Sequence, residues 1–225
     1  MLSVLPTWRA TEASILTAPS MGARFAQYML TISRDGGTKD QLPKGVEAFF
    51  YVISGGIELE TSTGTIALEA GGFAFLPPGA DFRVAGTSAA PARVAWLKKR
   101  YEHLGAEHPE AFSGHEKDIP GGIYMGLEGL LLKELVPAGL GYDMAMNIFT
   151  FQPGWSLPMV ETHVMEHGLV FLQGQGLYYL GDKWMDAREG DFIWMGPYCP
   201  RSFYATGQVP SRYIYYKNVN RDVEL

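Results

Sequence analysis

One cysteine, Cys199, stands in a chain of 225 residues, so no internal disulfide can form and no cluster of thiolates can hold a metal. Nothing calls for an oxidising compartment, and the cytoplasm is the expected location. Basic residues are few and scattered: 18 Lys and Arg against 24 Asp and Glu give a formal net charge of −6, and KKR at 98–100 is the one basic run. Binding to phosphate backbones demands clustered cations, so nucleic acid is excluded as a partner. No apolar run approaches the roughly 20 residues that a membrane helix needs. The opening MLSVLPTWRATE has neither the charged lead nor the continuous apolar stretch of a targeting signal. Sustained helical periodicity is missing as well. What is present in quantity is apolar residues, 47% of the chain, ample for a core.

The chain also repeats itself. Sliding it against itself by 119 positions sets Ser54-Gly55 on Gln173-Gly174, Gly71-Gly72-Phe73 on Gly190-Asp191-Phe192, and RVAWLKK at 93–99 on RYIYYKN at 212–218. Each match alone is of chance quality, but the shared offset marks two copies of one unit. Each copy consists of short runs rich in Val, Ile, Phe and Tyr, punctuated by SGG, STGT, AGG and PPGA, which reads as strands joined by glycine turns. The expectation is an all-β chain of two small closed units, each a sandwich or a barrel, one over residues 1–100 and one over 141–225. A connector over 101–140 would join them, with 106–122 as loop and GLLLKELVP, 129–137, as one further strand.

The copies differ at VETHVMEHG, 160–168. Glu161, His163 and His167 share parity, so in extended structure or a tight loop all three can project into one interior. A set of one carboxylate and two imidazoles suits a divalent metal such as Mn, Fe, Co, Ni or Zn. The corresponding residues of the first copy, Leu42, Lys44 and Ala48, offer no such donors, so that copy should only pack. His103, His108 and His115 fall in or near the polar connector and read as solvated. Tyr213, Tyr215 and Lys217 share one face of the last strand.

These residues carry a resemblance. Gly154, then Glu161-x-His163-x3-His167-x6-Gly174, followed by Gly190-x5-Gly196-x4-Arg201, resembles the two motifs of the cupin superfamily, and two cupin barrels in one chain make a bicupin, each barrel a jelly roll (double-stranded β-helix). ETHVMEHG, GQGLYYL, GDFIWMGPYCP and the closing YIYYKNVNRDVEL are similar to the (S)-ureidoglycine aminohydrolases, the manganese bicupins of purine and allantoin breakdown. MGARFAQYMLTI and AFFYVISGGIEL extend the similarity to the first copy. That resemblance implies Mn²⁺ held by Glu161, His163 and His167, substrate contacts from Glu161, Tyr178, Tyr213 and Arg201, proton transfer by Lys217, and a homo-oligomer. It implies hydrolysis of (S)-ureidoglycine to (S)-ureidoglycolate and ammonia. Family members carry further residues before the point where this chain begins, which implies a short or trimmed N-terminus.

Arg201 departs from the pattern. The family places a glutamine there as a fourth ligand, whereas a guanidinium has no acceptor and a permanent charge. Turned inward it would repel a cation or pair with Glu161 and fill the site; turned outward it would leave three ligands with open positions; or it could grip a substrate carboxylate. Two rival functions follow, a cupin dioxygenase or isomerase and a metal-poor ligand-binding or structural bicupin.

Overall fold

The structure, a computed structural model, describes residues 2–3, 5–105 and 109–222; His108 and the end of the closing motif, 223–225, lie outside the described residues. By its internal contacts the chain divides into two compact units, Met1–Asp118 and Ile119–Leu225. The first contains β1 (Leu2–Ser3), β2 (Arg9–Thr17), β3 (Phe25–Gln41), β4 (Val46–Ser54), β5 (Gly56–Thr61), β6 (Gly64–Glu69), β7 (Gly72–Leu76), β8 (Asp81–Gly86), β9 (Ala92–Arg100) and β10 (Phe112–His115). The second contains β11 (Gly122–Tyr124), β12 (Leu127–Glu134), β13 (Met144–Phe151), β14 (His167–Gln173), β15 (Gln175–Leu180), β16 (Lys183–Arg188), β17 (Phe192–Met195), β18 (Arg201–Ala205) and β19 (Ser211–Asn218).

In the first unit a single sheet runs β10-β7-β4-β9-β3-β8-β5-β6, with β2 added alongside β3 and β1 on β2. The second unit splits the same arrangement into β11-β12-β13-β19-β14-β17 and β16-β15-β18. The expected duplication is visible strand by strand: β15, β16 and β19 each begin 119 positions after β5, β6 and β9. Its clearest local cause is the glycine at each first hairpin. Gly55 and Gly174 adopt φ of 75° and 77°, a left-handed conformation that other residues enter at a cost. A Cβ on Gly55 would come within 2.8 Å of the Ala92 Cα, and one on Gly174 within 2.7 Å of the Pro210 carbonyl oxygen. Backbone and space both require glycine there.

Residues 101–140 do not form one connector. Phe112–His115 is β10, paired with β7 at the edge of the first unit, where Phe112 stacks on Phe75 at 5.3 Å. β11 and β12 extend the sheet of the second unit. Strands of three or four residues are too short to display alternation, and their stability comes from the edge that receives them. The further strand expected at 129–137 is β12. His115 is half-buried rather than solvated: its Nε2 lies 3.0 Å from the Ala70 carbonyl oxygen, and its Nδ1 accepts the Lys117 N–H at 3.1 Å. His103 is exposed, as expected.

The interiors of the two units differ. Trp8, Leu42, Ala48, Phe50, Phe82 and Trp96 fill the first, with Phe50 stacked on Trp96 at 5.6 Å and Phe82 tilted against both. Each of the larger side chains contributes roughly 1.5–3 kcal/mol by leaving water. In the second unit, Phe151, Phe171, Phe203, Tyr178 and Tyr213 form the floor of the core, and the space above them stays open.

Candidate active site

That space is a cavity of about 490 Å³ lined entirely by the second unit. Strands β13, β14 and β19 supply one wall, because alternation turns Asn147 and Phe149, His167 and Leu169, and Tyr213, Tyr215 and Lys217 to the same side. Tyr178 of β15 and Arg201 of β18 enter from the other sheet, and Glu161 and His163 come from the irregular segment that leads into β14. All seven residues singled out in the sequence, Glu161, His163, His167, Tyr178, Arg201, Tyr213 and Lys217, therefore line one cavity.

Backbone pairing decides where Arg201 points. Glu161 and Arg201 form an antiparallel bridge, the amide of each donating to the carbonyl of the other at 2.8 and 2.9 Å. Directly paired residues of antiparallel strands project to one face, so Arg201 faces inward with Glu161. It is 2% exposed. Nη2 of Arg201 lies 3.8 Å from Oε2 of Glu161 and contacts Nε2 of His163, while Nη1 donates to the Cys199 carbonyl at 3.4 Å. Of the orientations open to Arg201, the outward one is not adopted.

Two contacts go beyond the expectations drawn from the sequence. The Tyr124 hydroxyl donates to Oε1 of Glu161 at 3.1 Å; it comes from β11, a strand too short to announce itself. Asn147 donates to the Tyr215 hydroxyl at 3.2 Å. Its signal was present, one amide inside the apolar run MAMNIFTF, because a buried amide needs a partner.

Burial dominates the titration of the cavity. It holds His163 down to about 4, with the charges of Arg201 and Lys217 adding to the effect. His167 is lowered well below its ordinary value by burial first and then by Arg201, His163 and Lys217. Both imidazoles are therefore neutral at physiological pH. Burial raises Tyr178 and Tyr124 to about 12, so these hydroxyls remain donors. Lys217 is lowered by burial, against the opposing pull of Glu161 and Glu134, the latter exposed at the mouth. A lysine so lowered exchanges protons more readily near neutrality. Its counterpart Lys98 has another role: its ammonium sits 4.3 Å over the Trp96 ring and 5.1 Å over that of Tyr28, a cation–π contact within a packed core.

Whether a divalent ion fits turns on the same geometry. Nε2 of His163 and Nε2 of His167 are 3.4 Å apart, the spacing of two nitrogens bound at ~2.0–2.1 Å and a tetrahedral angle to one ion. The donor chemistry is right. The guanidinium, however, contacts one of those nitrogens, and the same Nη2 lies 3.8 Å from the Glu161 carboxylate. Among the described residues no three His, Cys, Asp or Glu side chains are gathered to hold a metal. As placed, the residues do not fit a metal ion.

The cupin domain family matches residues 35–98 and 147–216, once in each unit. Over 225 residues the chain is 36% identical to the (S)-ureidoglycine aminohydrolase of Escherichia coli (strain K12), covering 99% of this chain and 86% of that protein. It is 33% identical to the (S)-ureidoglycine aminohydrolase of Arabidopsis thaliana, covering 98% of this chain and 73% of that one. The crystal structure of protein Ylba from E. coli superposes with a TM-score of 0.90 at 33% identity, covering all of this chain and 89% of that one.

Proposed function

Because the chain belongs to the (S)-ureidoglycine aminohydrolase family of cupin proteins, we propose that it hydrolyses (S)-ureidoglycine to (S)-ureidoglycolate and ammonia, a step of purine and allantoin breakdown. The observation that carries this reading is the joint presence of full-length similarity and one polar cavity in the second unit. Cupin fold and family both point to a divalent metal, manganese by resemblance, yet the guanidinium of Arg201 stands where such an ion would bind. The reaction is therefore written with the chain's own groups.

In the first step a water in the cavity gives a proton to the Lys217 amine and its oxygen bonds the amine-bearing carbon. The bond from that carbon to the amine nitrogen breaks while the bond to the ureido nitrogen stays, and the lysine ammonium returns the proton to the leaving amine, which departs as ammonia. Burial supports this use of Lys217, since it favours the neutral amine. Arg201 presents N–H donors to the substrate carboxylate, and Glu161 accepts from its amine or ureido N–H groups. Tyr178 and Tyr213, buried and protonated, donate to the ureido carbonyl while the aromatic floor excludes bulk water. Fixing carboxylate and ureido ends at once presents a single face of the carbon, which is how positioned groups set stereochemistry.

Among the described residues no helix is long and apolar enough to cross a membrane, and a cytoplasmic homo-oligomer is part of this proposal. The direct test is to incubate the purified chain with (S)-ureidoglycine and measure ammonia and the configuration of the product. Stoichiometric ammonia with (S)-ureidoglycolate supports the reading. Oxygen uptake without ammonia would favour the oxidative rival instead.

A further inference from the structure

Resting on that reading for the identity of the ligand, we propose that the guanidinium of Arg201 takes the place of the metal ion, so that this cavity binds its carboxylate substrate on a built-in organic cation and needs no bound metal. Three observations on the chain itself carry the proposal. The two imidazole nitrogens face each other at a ligand-pair spacing of 3.4 Å. Arg201 Nη2 approaches that pair at His163 and lies 3.8 Å from Glu161 Oε2. The backbone bridge between Glu161 and Arg201 fixes the arginine on this side of the strand, so no rotamer takes it to the opposite face of the sheet.

The chemistry of the substitution is consistent. A metal ion in such a triad offers a positive charge and open coordination positions to an anionic ligand. A guanidinium offers the same charge with directed N–H groups, which match a carboxylate in bidentate fashion. Neutral imidazole accepts from one N–H, leaving others free to turn toward the cavity. The two cannot coexist there, because a second positive charge within a few ångströms in a buried site is strongly unfavourable. The first unit shows the other way of closing such a site. Phe82 stands 119 positions before Arg201 and is packed against Phe50 and Trp96, with Leu42 and Ala48 in the core beside them. That interior is sealed by carbon, whereas the second keeps an open cavity and a cation.

The experiment measures metal content and ligand binding without using turnover. Purified chain is loaded with MnCl₂, desalted and analysed for metal; N-carbamoylglycine, which keeps the ureido and carboxylate groups but lacks the amine, is titrated calorimetrically in EDTA, with N-carbamoylglycinamide as the uncharged control. The expected result is well under 0.1 equivalent of metal, binding of N-carbamoylglycine in EDTA, and at least tenfold weaker binding of the amide. Arg201→Gln should lose at least tenfold in carboxylate binding in EDTA and take up close to one equivalent of Mn²⁺. Arg201→Lys, which keeps the charge, should still exclude the metal. About one equivalent of tightly held metal on the unaltered chain, or binding that disappears in EDTA, overturns the proposal, and neither result depends on a variant folding. Binding in EDTA without ammonia release from (S)-ureidoglycine would overturn the aminohydrolase reading and leave this inference standing.

Discussion

Glu161 and Arg201 are joined twice, by the backbone bridge that pairs their amides and carbonyls and by an ion pair of 3.8 Å between their side chains. The arginine is almost fully buried and the glutamate only partly so, with 3% and 23% of the side chains exposed. Removing one member of such a pair leaves the other's charge uncompensated. Glu161→Gln should therefore lower the stability of the second unit by about 1–3 kcal/mol, read as a lower urea midpoint. An unchanged midpoint would mean that the pair does not form.

Lys217 and Lys98 occupy the same position of the repeat and make a paired control. Lys217→Met should reduce ammonia release by about 100-fold or more, the scale of a lost general acid/base. Lys98→Met, in the packed first unit, should leave it unchanged. The rate with Lys217 present should rise with pH through a lysine pKa lying below 10.5, its ordinary value, because the neutral amine is the acting form. Equal effects of the two substitutions in a steady-state assay would remove Lys217 from catalysis.

His163 and His167 both titrate below their ordinary value in the folded chain. Between about 6.5, where an unfolded histidine takes up its proton, and about 4, where His163 does, the unfolded state binds more protons than the folded one. Stability is therefore full above pH 6.5 and declines as pH falls through this window. Denaturation midpoints at pH 7, 6 and 5 should fall in that order in the unaltered chain and become flatter in the doubly substituted His163→Gln, His167→Gln protein. A midpoint that rises on acidification would contradict the buried, neutral state of the pair.

Phe82 closes the interior of the first unit where Arg201 stands in the second. Phe82→Ala should cost roughly 3–5 kcal/mol through lost burial and a residual cavity, seen as a lower thermal midpoint. No loss in stability would show that the first interior is not packed as described.

Much of this was legible in the chain. The offset of 119 worked because both copies need the same glycine at the same turn, Gly55 and Gly174, and because turn chemistry is local. Parity placed Tyr213 and Lys217 on one face, since alternation holds within a strand; Glu161, His163 and His167 line the same cavity, but Glu161 and His163 do so from an irregular segment where alternation does not apply. What escaped was long-range. Tyr124 reaches Glu161 from a three-residue strand with no alternation to read, and β10 exists because the edge of β7 accepts it. The direction of Arg201 depends on its pairing with a residue 40 positions earlier in the chain, which no local pattern encodes. Composition could state only that a guanidinium is not a ligand.

The most direct measurement is diffraction from crystals soaked in MnCl₂, with anomalous differences collected at the manganese edge. The account predicts no anomalous peak among Glu161, His163 and His167, and density for the Arg201 guanidinium between the His163 ring and the Glu161 carboxylate. A strong peak bonded to those three side chains, with Arg201 swung away, would contradict it.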